Sequence, residues 1–442
     1  MAKIVGAAAL LAGVFWLILN LQPQSKNTSM GSSQADTNPP INQPTNQLEN
    51  VVATLPYPAP VQEATPKTVL KTPLCNFPLD IPSSTEIGSS ISSYQFSEPE
   101  IVYRSESAVE IAGWLPDMER LLIGRSTLNG RQIIETFDSV SQETVIYAER
   151  DGEGGMPVWL AEIDAVAYAE FVQDHEELWL SYGDPENLEL IAADIQGWSL
   201  SGMEGKLIFF SPTIGDQPEI WNSKSKKLEF TPFSLENRAY SKYGPGEYFQ
   251  PVPGRTFSTA IQPGLKQAVF FGPGLFFLAN FETGEVCELD LGIGPNGFRS
   301  ASDAQWSTDG RFVAMKITSS YPGAIQIENQ ILVLDLLSGE EYFPEIPVDY
   351  VYDFVWEPGH HTLAALGKIG AIDGRAKMGL FLIGVDEKMV RRILPEQIFG
   401  GGAIGMLAWG QDKIAINCIY WPDTALAIVE GRVCLIDVDR QP

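Results

Sequence analysis

The sequence is poor in the residues that carry most enzyme chemistry. It has three histidines (His175, His360 and His361) and four cysteines among 442 residues. So few imidazoles exclude a histidine-built metal centre, and so few thiols exclude a fold held mainly by disulfides. Basic side chains are scarce too, 29 against 56 acidic, for a net charge of −27. A chain so charged lacks the cationic footprint that nucleic acids or anionic lipid surfaces require. No Gly-x-Ser-x-Gly nucleophile elbow occurs, since Gly124-Arg-Ser126-Thr-Leu128 fails at its last position. His175-Glu176-Glu177 lacks the second histidine of a helical zinc motif. Apolar residues, at 44%, are by contrast ample for a large buried core.

A long uncharged apolar run, Ile4 to Leu19, follows Lys3 near the N-terminus. Its length suits a bilayer crossing, and the preceding positive charge favours an N-inside orientation. Residues 1–21 are therefore read as a transmembrane helix acting as a signal anchor, or as a signal segment removed on export. Both readings put the remainder outside the cytoplasm, membrane-anchored in one case and secreted in the other. Residues 22–93 are rich in Pro, Asn, Gln and Ser, a composition that cannot bury enough apolar surface to offset its ordering entropy. They are read as a disordered linker, leaving 94–442 as the folded body.

Tryptophan sets the phase of an internal repeat: Trp114, Trp159, Trp198, Trp306, Trp356 and Trp409. Seven residues after most of them an apolar β-type run begins, as at Leu121, Val166, Val313 and Leu363. Turn formers lie between, as in Trp306-Ser-Thr-Asp309-Gly310. In the long gap before Trp306, Ile261-Gln-Pro-Gly264 takes the tryptophan position and makes a seventh copy. Each copy continues into a second hairpin, with third strands predicted at 132–137, 178–182, 219–222, 275–281, 331–336, 380–385 and 433–438. Fourth strands follow in six copies, and the last copy lacks one. The pattern predicts an all-β fold, a seven-bladed β-propeller of four-stranded antiparallel blades. Glu98–Tyr103, which precedes the first repeat, is expected to supply the missing strand and close the ring. The tryptophans themselves are read as core.

The segment Ala304-Gln-Trp306-Ser-Thr-Asp309-Gly310-Arg-Phe-Val-Ala resembles the W-S-P-D-G-x-x-I-A repeat of TolB-like (WD40-like, PD40) β-propellers. Residues 302–438 match best, and Trp114-Leu-Pro-Asp117 and Trp356-Glu-Pro-Gly359 match in part. The resemblance implies the propeller fold. Its relatives include a periplasmic protein, propeller domains attached to peptidases, and sugar-degrading lyases.

Candidate recognition residues are aromatics in loops. The stretch 231–255 holds Tyr240, Tyr243, Tyr248 and Phe249, and two further loops carry Tyr321 and Tyr420-Trp421. Tyrosines on loops of a rigid scaffold suit peptide or sugar contacts, and the alternative is a lid packed on the ring. Asp151-Gly-Glu153 lies in the most acidic stretch, where it is either a weak calcium loop or a solvated acidic loop. Cys418 and Cys434 fall opposite each other in the last repeat, as a cross-strand disulfide or as two buried thiols. Cys75 and Cys287 are too isolated to interpret, and His360-His361 reads as a solvated turn or a weak metal site.

The sequence thus predicts a non-catalytic module that binds a protein, peptide or glycan. It needs no cofactor beyond the calcium option, contacts the membrane through its N-terminus, takes no nucleic acid and is monomeric. Two alternatives stay open: an extracellular polysaccharide-acting lyase or glycosidase using carboxylates, and a TolB-like envelope component.

Overall fold

The chain divides into two compact units, Met1–Leu70 and Lys71–Pro442. A computed structural model describes Cys75 and residues 90–441, apart from 128–129, 152–155, 173–174, 211–216, 236–257, 265, 273–274, 290–297, 321–327, 373–374, 395–396, 399–405 and 419–429. The apolar run Ile4–Leu19 lies outside the described residues. Among those described, no helix is long and apolar enough to cross a membrane.

The body is a seven-bladed β-propeller. Blade 1 runs Val109–Trp114, Arg120–Ser126, Arg131–Asp138 and Thr144–Asp151, each strand pairing antiparallel with the next. Blades 4, 5 and 6 repeat the meander from Ser258–Ile261, Phe298–Trp306 and Tyr350–Trp356. Blades 2 and 3 share one sixteen-residue strand, Leu188–Met203, which is the outer strand of one and the inner strand of the next. The sequence reading separates these two strands, but here the chain crosses between blades without a loop, through register shifts between Leu190 and Ala192, Ala193 and Ile195, and Gln196 and Ser201. Trp198 lies in this strand.

Middle strands are sandwiched between neighbouring blades and so are buried on both faces, as the pattern of Arg131–Asp138 illustrates. Their second strands carry fully buried small residues, among them Ala167, Ala314, Ala364 and Ala415. Small side chains let adjacent blades approach closely at full packing density.

Blade 7 contributes only Leu407–Trp409, Lys413–Asn417 and Gly431–Arg440 from the C-terminal end. Its outer strand comes from the start of the body in two pieces. Tyr94–Phe96 pairs with Val438–Arg440, and Glu100–Ser105 pairs with Gly431–Leu435. The expected closing strand, Glu98–Tyr103, is therefore present but longer and interrupted. Pro99 lacks the N–H that a continuous ladder would need there. The boundary at residue 93 also shifts. Ile91–Ser93, assigned by composition to the linker, form a single 3-10 turn whose Ile91 is buried against blades 6 and 7.

The motif turns explain the repeat chemistry. After Trp306, Ser307 accepts from Phe312 N through its side chain at 2.9 Å, and Asp309 accepts from Arg311 N at 3.1 Å. Gly310 sits at φ +71°, where a Cβ would meet Gln262 of the previous blade at under 3 Å. Three tryptophan side chains bond across to the preceding blade. Trp114 Nε1 donates to Ala408 O (3.2 Å), Trp306 to Ala260 O (2.8 Å) and Trp356 to Gln305 O (3.0 Å). Each acceptor is the residue just before the tryptophan, or its Ile261 equivalent, in the preceding blade.

Candidate functional site

Strand direction sorts the connections into two ends. Turns from first to second strand and from third to fourth all lie at one end, and none exceeds six residues. They are closed by side-chain caps: Asp117 accepts from Glu119 N and Arg120 N, Asp138 from Val140 N and Ser141 N, and Asn222 from Lys224 N and Ser225 N. Every connection longer than six residues leaves from the other end, including 231–257, 289–297, 321–327 and 418–430.

Tyr240, Tyr243, Tyr248, Phe249, Tyr321, Tyr420, Trp421 and Glu153 lie outside the described residues, and Asp151 closes the strand Thr144–Asp151. The strands that flank these stretches begin or end at the loop-bearing end.

Within the inner strands of blades 5 and 6 lie two carboxylates that sequence reasoning did not single out, Asp303 and Asp353. In blades 5 and 6 the register slips between Ala301 and Asp303 and between Val351 and Asp353. The matching bulges fall at Ser302 and Tyr352, each just before an aspartate that lies three residues ahead of a tryptophan and rejoins the ladder, Asp303 opposite Lys316 and Asp353 opposite Leu366. Asp353 is buried; its Oδ2 accepts from Met406 N (2.7 Å) and Leu407 N (2.9 Å), and Oδ1 from Phe354 N (2.8 Å). Burial first, and then the nearby Asp303 carboxylate, push Asp353 up to about 7. Burial raises Asp303 as well, with Lys316 opposing. Lys316 donates to Tyr352 O at 2.9 Å. The signal available in the sequence was the shared offset of Asp303 and Asp353 from their tryptophans.

Between blades 1 and 2, at the loop-bearing end, Arg150 is fully buried. It donates to Gln132 Oε1 from Nε and Nη2 and to Ala169 O from Nη1. Burial lowers it to about 10, against the pull of nearby Glu110, Tyr168, Glu170 and Glu176. Neither cluster contains a nucleophile with an adjacent base. Among the described residues no group of three or more His, Cys, Asp or Glu is placed to hold a metal.

His361 departs from the sequence reading. It is buried, with Nε2 at 2.9 Å from Asp309 Oδ2 and Nδ1 at 2.7 Å from Asp386 Oδ2. It sits at the turn end and locks blade 5 to blade 6. His360 beside it is partly exposed.

Cys418 and Cys434 are bonded across the second and third strands of blade 7. Cys75 and Cys287 are bonded to each other, although they read as unrelated in the sequence. Their separation of 212 residues left no local signal. Cys75 is buried among Leu289, Leu334 and Leu336, against blades 4 and 5.

No family model matches the chain, and no curated protein matches it. Among solved structures it is similar to the crystal structure of TolB from Acinetobacter baumannii, at 11% identity and a TM-score of 0.38. That match covers 69% of this chain and 81% of that one. It is also similar to the structure of a putative TolB from Agrobacterium tumefaciens, at 12% identity and a TM-score of 0.39, over 78% and 94%. At such values the seven-bladed propeller rests on this chain's own strand topology.

Proposed function

We propose that the propeller is a non-catalytic binding module that works outside the cytoplasm and takes a protein, peptide or glycan at its loop-bearing end. The observation that carries this reading is the asymmetry of the connections. One end is reduced to short capped turns, while the other holds all the long loops. Rigid scaffolds with long loops at one end are how recognition surfaces are usually built. Two further observations support it. All four cysteines are paired, which suits an oxidising compartment. The buried Asp353 carboxylate is engaged with three backbone amides and has no nucleophile beside it to activate.

Site-specific photo-crosslinking in the producing cells tests the reading. A photoreactive residue at Gly130 or Tyr248 should capture partner, while one at the exposed turn residues Val140 or Leu337 should not. Crosslinks from the turn positions alone would refute the assignment of the face.

A further inference from the structure

The outer strand of blade 3, Lys227–Phe230, is exposed at all four residues. Among the described residues it pairs on its inner side only, with Glu219–Asn222. Thr231 N donates inward to Pro218 O at 3.0 Å, which fixes the alternation. Lys227 and Glu229 therefore turn their backbone groups inward, and Leu228 and Phe230 direct theirs to the open edge. The Leu228 and Phe230 side chains are 45% and 55% exposed, large values for apolar groups on a strand. Free edges of this kind are templates for another strand.

Other outer edges are managed differently. Cys75 is bonded onto the outer strand of blade 4, Val286–Glu288. The outer strand of blade 6, Met389–Arg392, uses Arg391 to hold Ile91 O and Tyr94 O. Blade 5 presents adjacent Glu340 and Glu341, which would repel their own copies. In blade 2, Glu189 is occupied by Tyr182 and Lys226.

The edge of blade 3 is self-complementary. If a second copy pairs antiparallel with Leu228 opposite Leu228 of its mate, the outward amides of both meet as a hydrogen-bonded pair. Lys227 of each copy then stands directly opposite Glu229 of the other, on one face of the joined sheet. On the other face Phe230 lies diagonal to the mate's Leu228 and covers it. Neither Lys227 nor Glu229 has an ion-pair partner among the described residues. The neighbouring register, with Glu229 opposite Glu229, is repulsive, so the charge pattern selects one alignment. We propose that two copies of this chain associate about a two-fold axis through Lys227–Phe230, joining two blades into one eight-stranded sheet or longer. This replaces the expectation of a monomer.

Sedimentation equilibrium of the full chain in detergent, over a wide concentration range, tests the proposal. The wild type should dimerise reversibly. Lys227→Glu or Glu229→Lys alone converts both cross-strand pairs to repulsion and should raise the dimer Kd about tenfold or more. The double exchange Lys227→Glu/Glu229→Lys should restore dimerisation, because each charge again meets its opposite. Leu228→Pro removes only an outward amide and should abolish the dimer without shifting the thermal midpoint. A wild type monomeric throughout, association indifferent to the single charge changes, or a double exchange that fails to restore it would each overturn the proposal.

Discussion

The hydroxyl of Tyr94 donates to the Glu357 carboxylate at 2.6 Å, and Arg440 binds the other oxygen of the same carboxylate. One residue comes from the start of the body, one from blade 6 and one from its last strand. Glu357 is fully buried, and Tyr94 and Arg440 both meet its carboxylate there. Burial first, and then Glu357 itself, push Tyr94 up to about 12, which keeps the phenol protonated as a donor. The ring is thus closed by strand pairing and by a buried polar clasp beside it.

Tyr94→Phe should cost about 1–3 kcal/mol, the loss of one buried hydrogen bond to a charged acceptor. Glu357→Ala should cost more, since it removes the acceptor of the buried Tyr94 hydroxyl together with the carboxylate that Arg440 meets. Urea denaturation of the two variants checks the order; equal and negligible losses would show that the clasp is idle.

His361 faces a carboxylate at each ring nitrogen, and only the imidazolium can donate to both. Burial works against that charge, yet the bonds to Asp309 and Asp386 raise the His361 pKa. Its contribution to stability is therefore full below the unfolded value of about 6.5 and is lost as pH rises through the raised folded value. Asp309 has the opposite sign. Burial opposes ionisation, but bonds from His361 and Ser307 hold it at about 2. Its contribution is present above about 3.9 and is lost as pH falls towards 2. The stability of wild type relative to His361→Gln, followed by urea midpoints, should be greatest between these limits and shrink on both sides. A difference independent of pH would contradict the imidazolium.

The indole bonds make a graded prediction. Trp306→Phe and Trp356→Phe each leave a carbonyl of the neighbouring blade without its donor and should cost about 1–3 kcal/mol beyond lost packing. Trp409 is equally buried, but its Nε1 has no partner among the described residues. Trp409→Phe should therefore be the mildest of the three in thermal denaturation.

Both disulfides should be detectable as protected thiols. Alkylation of the unfolded, unreduced protein should modify no cysteine, and reduction should expose all four. Cys75→Ser should destabilise by about 3 kcal/mol or more, because the bond closes a very long loop in the unfolded chain. Two reactive thiols before reduction would contradict one of the pairs.

Much of the fold was legible because its signals are local. The predicted third strand 219–222 is Glu219–Asn222, and the turn after Trp306 folds as its Ser-Thr-Asp-Gly spacing requires. The closing strand was legible by subtraction, since blade 7 lacked a partner. Tyr94–Phe96 was missed because three residues flanked by serines carry no alternation to read. The Cys75–Cys287 bond and the contact of His361 with Asp309 join residues whose proximity is set by tertiary packing, not by spacing. Glu357 offered no cue at all, for a glutamate in a turn reads as solvated until Tyr94 and Arg440 arrive around it.

The most direct test of the account is the thermal midpoint of a chain that begins after Ser105, compared with one that begins at residue 90. Loss of Tyr94–Phe96 and Glu100–Ser105 exposes the edge of Gly431–Arg440 and undoes the Glu357 clasp, so the midpoint should fall by about 10 °C or more. An unchanged midpoint would mean that the ring does not depend on joining its two ends.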